Sequence, residues 1–369
     1  MTKVLVSVFN NLYTDQRIEK ICETLHNNGF SVELIGSSWD GLPTINRPYP
    51  HYRIPLKSKR LKWAYVEFNL KLYAYLKKKK SENCIFVAND LDTILPNYFL
   101  SKRFKIPLIY DSHEIFTEMP SLNNKWTKKI WQLVEKITVP NIKYMMCAND
   151  SYAEWYEKKY AINKPVVVRN LPKRITNVKE ENEDSSTKII LYQGAINPSR
   201  GLDKVIPAMK LIDNAALWIV GTGPKLEEYQ GLSESLKLTE KIKFLGKLSP
   251  EKLREITPKA SVGISIEENN GWSYYYSLPN KISDYIQSGV PVVCSNFPEM
   301  KKIINRFAVG EFIENHSEIE LSNKINKVLA LGKNYYKPAL ENASKELCWE
   351  NEQPNLLALY NQVVQETFN

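Results

Sequence analysis

Lys281 and Asp284 stand one helical turn apart within Tyr274 to Val293, which reads YYYSLPNKISDYIQSGVPVV. A cation near a helix N-terminus, with a carboxylate one turn on, suits a nucleoside diphosphate. The ammonium and the helix end take phosphate oxygens, and the carboxylate takes ribose hydroxyls. The same spacing also describes a surface Lys/Asp pair on a solvated helix, and the helix alone does not separate the two. The elements that must position the pair lie in the same stretch. Pro279 suits a first helical turn and Gly289 a stop. Leu278, Ile282, Tyr285 and Ile286 form an apolar stripe, while Ser277, Lys281, Asp284 and Ser288 fall on a neighbouring polar face. Val290 to Cys294 follows as the short apolar run of a central parallel strand.

The rest of the chain alternates in the same way. Lys3 to Val8 predicts a strand, Asp15 to Asn28 a helix ended by Gly29, and Ser31 to Gly36 the next strand, a βαβ start. The loop FNNLYTD between them has no glycine fingerprint, so it is not a dinucleotide cradle. Its flanking Asn10, Asn11 and Arg17 suit either acceptor or phosphate contacts, or a turn and a cap-region charge. Further strands are expected at Cys84 to Ala88, Pro107 to Asp111, Ile142 to Ala148 and Val166 to Val168. Arg174 to Lys188, polar and without periodicity, reads as a linker. Beyond it strands are expected at Ile189 to Gln193, Ala216 to Val220, Lys241 to Leu245, Ser261 to Ile266 and Val290 to Cys294. Such alternation predicts parallel sheets wound on both faces. Eleven of the fourteen glycines follow the linker, five of them in GAINPSRG, VGTGP and SGVPV. Glycine at strand ends lets a ligand approach the backbone, which makes the second half the expected nucleotide-binding half.

At 369 residues, 43% hydrophobic and 25% charged, the chain fits two soluble domains. No stretch approaches the ~20 apolar residues of a membrane span. The start MTKVLVSVFN runs into a strand pattern without a secretory signal, and the five scattered cysteines read as free thiols; both suit a cytoplasmic protein. The net charge of +9 is concentrated between Leu56 and Lys80, where nine Lys or Arg face one Glu. Two apolar faces occur there, one with Trp63, Val66, Leu70 and Tyr73, the other with Leu61, Tyr65, Phe68 and Leu72. One face would pack inward, and the other, beside lysines, suits anionic lipid headgroups. A core helix with a solvated lysine tail, or a nucleic-acid surface, are the competing readings. In NDLD, Asp90 and Asp92 mimic a metal-binding DxD. Asp90 falls at a strand end and Asp92 at a helix N-cap position, so both read as capping or acceptor-side residues rather than metal ligands. GxSxG, HExxH, CxxC and Walker A motifs are absent, and VGTGP reads as a strand-to-helix turn.

With GAINPSRGLDKVI, LWIVGTGP, IKFLGKLSPEKL and SLPNKISDYIQSGVPVV in view, the chain resembles the retaining, sugar-nucleotide-dependent glycosyltransferases of family 4. The similarity extends to TDQRIEKICETL, NDLDTILP and YDSHEIFTEMP in the first half. It implies the GT-B fold, an α/β architecture of two Rossmann-like doubly wound domains facing a cleft. The expected boundaries are an acceptor domain at 1–172, a nucleotide-sugar domain at 173–345, and a C-terminal helix at 346–369 returning to the first. By the resemblance Gly194, Arg200, Gly221, Lys281 and Asp284 contact the donor, Arg200 and Lys281 through the diphosphate and Asp284 through the ribose. His113 is implied beside the donor sugar. The family's arginine after Gly194 is replaced by Ala195. Tyr276 stands where the first glutamate of its E-x7-E pair belongs, and Glu267 or Glu268 is the candidate to replace it, with Glu268 taken as the catalytic carboxylate.

The function so implied is metal-independent transfer of a hexosyl or N-acetylhexosaminyl group, with retention, from a nucleotide-diphosphate sugar. The implied acceptor is a hydroxyl of a lipid-linked glycan in surface polysaccharide assembly. The protein would act peripherally at the inner face of the plasma membrane, without nucleic acid. Another GT-B enzyme (an inverting transferase or an epimerase) and a non-catalytic partner subunit are the alternatives.

Overall fold

Short, almost uninterrupted apolar runs bounded by polar loops leave little choice but strands buried on both faces. The computed structural model describes residues 1–13, 15–39, 41–123, 125–176 and 187–368. The first sheet holds β1 (Lys3–Ser7), β2 (Ser31–Ser38), β3 (His51–Pro55), β4 (Cys84–Asn89), β5 (Leu108–Ser112), β6 (Tyr144–Cys147) and β7 (Val166–Val167). The second holds β8 (Lys188–Gln193), β9 (Ala215–Val220), β10 (Ile242–Gly246), β11 (Val262–Ser265), β12 (Val292–Ser295) and β13 (Gly310–Ile313). Their orders are β3-β2-β1-β4-β5-β6-β7 and β10-β9-β8-β11-β12-β13, and every pairing is parallel. Both sheets therefore run outward from a central pair, β1 with β4 and β8 with β11. Strand order reverses at that pair, and ligands of such sheets bind outside the strands' carboxyl ends there.

The chain divides into two compact units, Met1–Asn170 with the stretch from Glu352 onward, and Leu171–Asn351. In the first unit β1 from Val4 to Ser7 and the whole of β4 are buried. The C-terminal stretch is tied to it by Glu352, which accepts from Arg169 Nε and Nη2 at 2.8 and 2.6 Å, and by Glu366, which accepts from the Tyr144 hydroxyl at 2.8 Å. The second unit has its own core, running from Ile190 and Leu217 through Ile264 and Val293 to Leu340.

Several local expectations need correction. The edge strands β3 and β13 were not foreseen. Each bonds along one side only, and their mixed residues HYRIP and GEFI give no apolar run to read. The expected linker is shorter at its end, since Lys188 already belongs to β8; its residues 177–186 lie outside the described residues. Pro279 is the residue before the helix Asn280–Gln287, not part of its first turn. Asp92 does not cap a helix. A 3-10 turn, Leu91–Thr93, intervenes, and the following helix Ile94–Phe104 has no side-chain cap. Asp92 Oδ1 is instead buried without a hydrogen bond, and burial and then the charge of Asp90 push its pKa well up.

The lysine-rich segment forms the helix Leu61–Lys79. Phe68 and Leu72 are buried as the inward face requires, but Leu61 of that face is exposed, as are Trp63, Val66 and Leu70 of the other. Among the described residues, no helix is long and apolar enough to cross a membrane.

Candidate active site

In the second unit the chain leaves β11 at Ser265 and two residues later places Glu267, fully buried. Its Oε1 accepts from Lys281 Nζ at 3.0 Å and from Arg200 Nη1 at 3.4 Å, and its Oε2 from Ser265 Oγ at 2.8 Å. Its backbone carbonyl accepts from Ser295 Oγ at 2.7 Å and lies 2.9 Å from His316 Nε2. Aromatic faces back both cations: Lys281 Nζ sits 4.3 Å from the Tyr192 ring centre and the Arg200 guanidinium 4.5 Å from that of Tyr274. Burial works against an ionised Glu267, but Lys281 and Arg200 outweigh it and hold the carboxyl below its usual range. Burial, with Arg200, lowers Lys281 more than Glu267 raises it.

Lys281 is placed by the helix Asn280–Gln287, whose apolar stripe packs as expected, with Ile282, Tyr285 and Ile286 buried. Tyr285 locks the helix across the central strand pair. Its hydroxyl donates to the Leu191 carbonyl at 3.0 Å and accepts the Gln193 N–H at 3.1 Å. The polar face is thereby turned inward, leaving Lys281 8% exposed. Its ion partner is Glu267, so the surface Lys/Asp reading is wrong. Asp284 lies on the same face, where Gln193 Nε2 donates to its Oδ2 at 3.4 Å.

The two predicted glycines serve different ends. Gly194, exposed at φ +139°, points its missing side chain at Lys281, whose Cε would lie 3.7 Å from a Cβ there. It leaves the ammonium approachable from that side. Gly221, at φ +151°, is a packing residue, because a Cβ would come within 1.8 Å of the Gly194 carbonyl oxygen. It supports the Gly194 loop from beneath. Ala195, where the resemblance called for arginine, is exposed and accepts from the Tyr192 hydroxyl through its carbonyl at 2.7 Å. Tyr276 stacks on Trp272, with ring centres 5.3 Å apart. Glu268 is half-buried and its N–H donates to the Ser199 carbonyl at 3.0 Å; Glu267, not Glu268, meets the two cations.

In the first unit, Asp111, next to last in β5, takes Arg17 Nε at 3.1 Å and Nη2 at 2.6 Å. Arg17 also donates to the Val168 carbonyl at 2.6 Å. His113 places Nε2 3.1 Å from Asp111 Oδ2 and Nδ1 3.3 Å from Asp90 Oδ2, and its backbone N–H donates to Asp90 Oδ1 at 2.9 Å. Burial disfavours the imidazolium, but Asp90 and then Asp111 reverse this and raise His113 to about 9. Both ring nitrogens are thus committed to carboxylates. Asn10 and Asn11 make turn contacts, accepting the N–H groups of Leu12 and Tyr13.

Sequence reasoning missed the pivotal part of Glu267, the rings of Tyr192 and Tyr274, the Ser295 and His316 contacts, and Asp90 and Asp111 as the partners of His113. Only Ser265-x-Glu267 at a strand end was available as a signal. The other contacts join segments far apart in the chain. Among the described residues no group of three or more His, Cys, Asp or Glu is arranged to hold a metal ion.

Two doubly wound parallel sheets with this order define the GT-B class, and solved structures agree. A sucrose-phosphate synthase from Thermosynechococcus elongatus superposes with a TM-score of 0.80 at 16% identity, covering 99% of this chain and 100% of that one. Anabaena HepE, solved in complex with UDP, superposes at 0.73 with 12% identity, covering 98% and 100%. In the second unit, residues 173–346 match the family model described as "Glycosyl transferases group 1". Two curated relatives are chitobiosyldiphosphodolichol beta-mannosyltransferases. The one from Kluyveromyces lactis is 23% identical over 84% of this chain and 78% of its own length, and the one from Yarrowia lipolytica 24% over 39% and 33%. The chain thus spans about a third of the length of the Yarrowia protein.

Proposed function

We propose that the chain transfers a hexosyl or N-acetylhexosaminyl group from a nucleotide-diphosphate sugar to a glycan hydroxyl, with retained configuration. The observation that carries this reading is the pairing of Lys281 and Arg200 on one buried carboxylate at the carboxyl end of the central strand pair. Bond cleavage at the sugar leaves charge on the departing diphosphate, and preorganised cations and a helix N-terminus lower that cost. Glu267 holds both cations in place before the donor arrives. An ammonium has three N–H donors, so Lys281 can keep Glu267 and still meet a phosphate oxygen across Gly194. Asp284 would accept from the ribose. These cations would supply the charge stabilisation without a metal, so turnover should survive chelation.

His113, implied beside the donor sugar, would act as a fixed positive charge rather than a base, since two carboxylates hold both ring N–H groups and keep its proton on at neutral pH. The acceptor is proposed to be a lipid-linked glycan of surface polysaccharide assembly, met at an anionic membrane through residues 56–80. The name of the Kluyveromyces relative, which specifies a dolichol-linked diphosphate sugar, supports a lipid carrier.

The test is calorimetric titration with UDP, GDP, TDP and CMP of the wild type and of the Lys281→Ala, Asp284→Ala double variant. Selective binding of one nucleotide, lost in the double variant, is the expected result; no binding of any would overturn the donor site. Tyr276, stacked where the family's first glutamate belongs, favours one second reading, a non-catalytic partner subunit. Nucleotide affinity without turnover on any donor sugar would select it.

A further inference from the structure

The helix Thr127–Thr138 is turned inside out. Its two buried side chains are polar, Glu135 and Thr138. Glu135 is completely covered and accepts from Tyr160 at 2.6 Å, Lys159 at 2.9 Å and Thr117 at 3.0 Å. On the far side Trp126, Ile130, Leu133 and Ile137 are between 48% and 68% exposed. At about 100° per residue these four form one narrow stripe opposite Glu135. A helix of a soluble domain turns such a stripe to the core, whereas here the polar face is anchored in the protein and the apolar face is offered outward.

The stripe has a neighbour. The helix Leu61–Lys79 buries Ala64, Phe68, Leu72 and Leu76 and leaves the stripe of Trp63, Val66 and Leu70 between 51% and 69% exposed. The two helices meet where the Tyr65 ring packs edge-on to that of Trp131, with centres 5.5 Å apart. Single exposed apolar residues need no explanation, but two exposed stripes on helices that touch do. Lysines border both: Lys129 and Lys136 on one helix with Lys125 just before it, and Lys77 to Lys79 in the last turn of the other with Lys80 just after it.

We propose that the helices Leu61–Lys79 and Thr127–Thr138 together form a docking face for an anionic lipid bilayer, with the stripe Trp126–Ile137 inserted at the acyl boundary. Apolar area flanked by lysines matches an interface of acyl chains beneath anionic headgroups, and a protein groove would not require the cationic border. The inference rests on the proposed membrane contact through residues 56–80. It adds a second helix that holds by insertion rather than by charge, so part of the binding should resist salt.

The experiment is flotation of the full chain with phosphatidylglycerol-containing and with purely phosphatidylcholine vesicles, at low and high salt. Two variants accompany the wild type: Ile130→Ser, Leu133→Ser, Ile137→Ser, and Lys77→Gln to Lys80→Gln. Circular dichroism and nucleotide titration check that both are folded. We expect wild type to bind the anionic vesicles with a salt-resistant remainder. The serine variant should lose that remainder and bind about tenfold more weakly. Serine-variant binding equal to wild type, with loss only in the glutamine variant, would overturn the inference and leave the contact through 56–80 standing. No wild-type binding would overturn both. So would concentration-dependent self-association in sedimentation velocity, abolished by the serines, with no vesicle binding; the face would then serve a second copy of the chain.

Discussion

Glu267 and Lys281 form an ion pair of 3.0 Å in which the carboxylate is fully buried and the ammonium side chain 9% exposed. A second cation, Arg200, shares the same oxygen. The pair is therefore worth most as a device that fixes two charges in a chosen place, because burial offsets much of its Coulombic gain.

Glu267→Gln keeps the shape and removes the charge, leaving Lys281 beside Arg200 without a counter-ion. Stability should fall by about 3 kcal/mol, read by urea denaturation. The folded pKa of Glu267 lies below the unfolded one. Its contribution is thus full above the unfolded value of about 4.3 and is lost as pH falls through the folded one. The gap between wild type and variant should be widest near neutrality and close in acid. A gap that persists in acid would contradict the ionised pair.

His113 titrates in the opposite sense. Its pKa is raised to about 9, so its stabilising pairing with Asp90 and Asp111 is complete below the unfolded value of about 6.5 and disappears as pH rises through about 9. Wild type should lose roughly 1–3 kcal/mol over that range relative to His113→Asn. Imidazole NMR, with four histidines to assign, should show one ring still protonated at pH 8. If all four are neutral there, the Asp90–His113–Asp111 pairing is wrong.

Gly221→Ala and Gly231→Ala form a matched pair. A Cβ at 221 meets the Gly194 carbonyl oxygen at 1.8 Å, whereas one at 231 meets nothing within 4 Å. The first should cost about 1–3 kcal/mol and weaken nucleotide binding by displacing the loop beside Lys281. The second, within the helix Leu226–Ser235, should stabilise by about 0.5–1 kcal/mol. Equal melting temperatures for the two variants would refute the packing role of Gly221.

Arg17→Lys should be far from conservative. Arg17 gives Asp111 two N–H groups and Val168 a third, and an ammonium cannot reproduce that fork. A loss of about 2–4 kcal/mol is expected in urea, with nucleotide affinity retained because the proposed nucleotide contacts, Arg200, Lys281 and Asp284, lie in the other unit. A wild-type midpoint in the variant would show that the fork is dispensable.

Apolar runs and their punctuation were enough to read the interior strands β1, β4, β8 and β11, because strands buried on both faces carry no polar interruption. They were not enough for β3 and β13, which an edge position frees from that demand. The helix carrying Lys281 and Asp284 was likewise legible from the spacing of Ile282, Tyr285 and Ile286. Its polar face was placed correctly around the helix, but local spacing could not say whether that face met water or protein. Only the tertiary structure decided that Lys281 points inward to Glu267, that Gly221 serves Gly194, and that Asp111 joins Arg17 to His113. It also decided that Glu135 is the buried side of its helix while Ile130 and Leu133 are not. Each of these depends on groups brought together from distant parts of the chain, and on the desolvation that selects their partners, neither of which the spacing of residues along a helix or strand records.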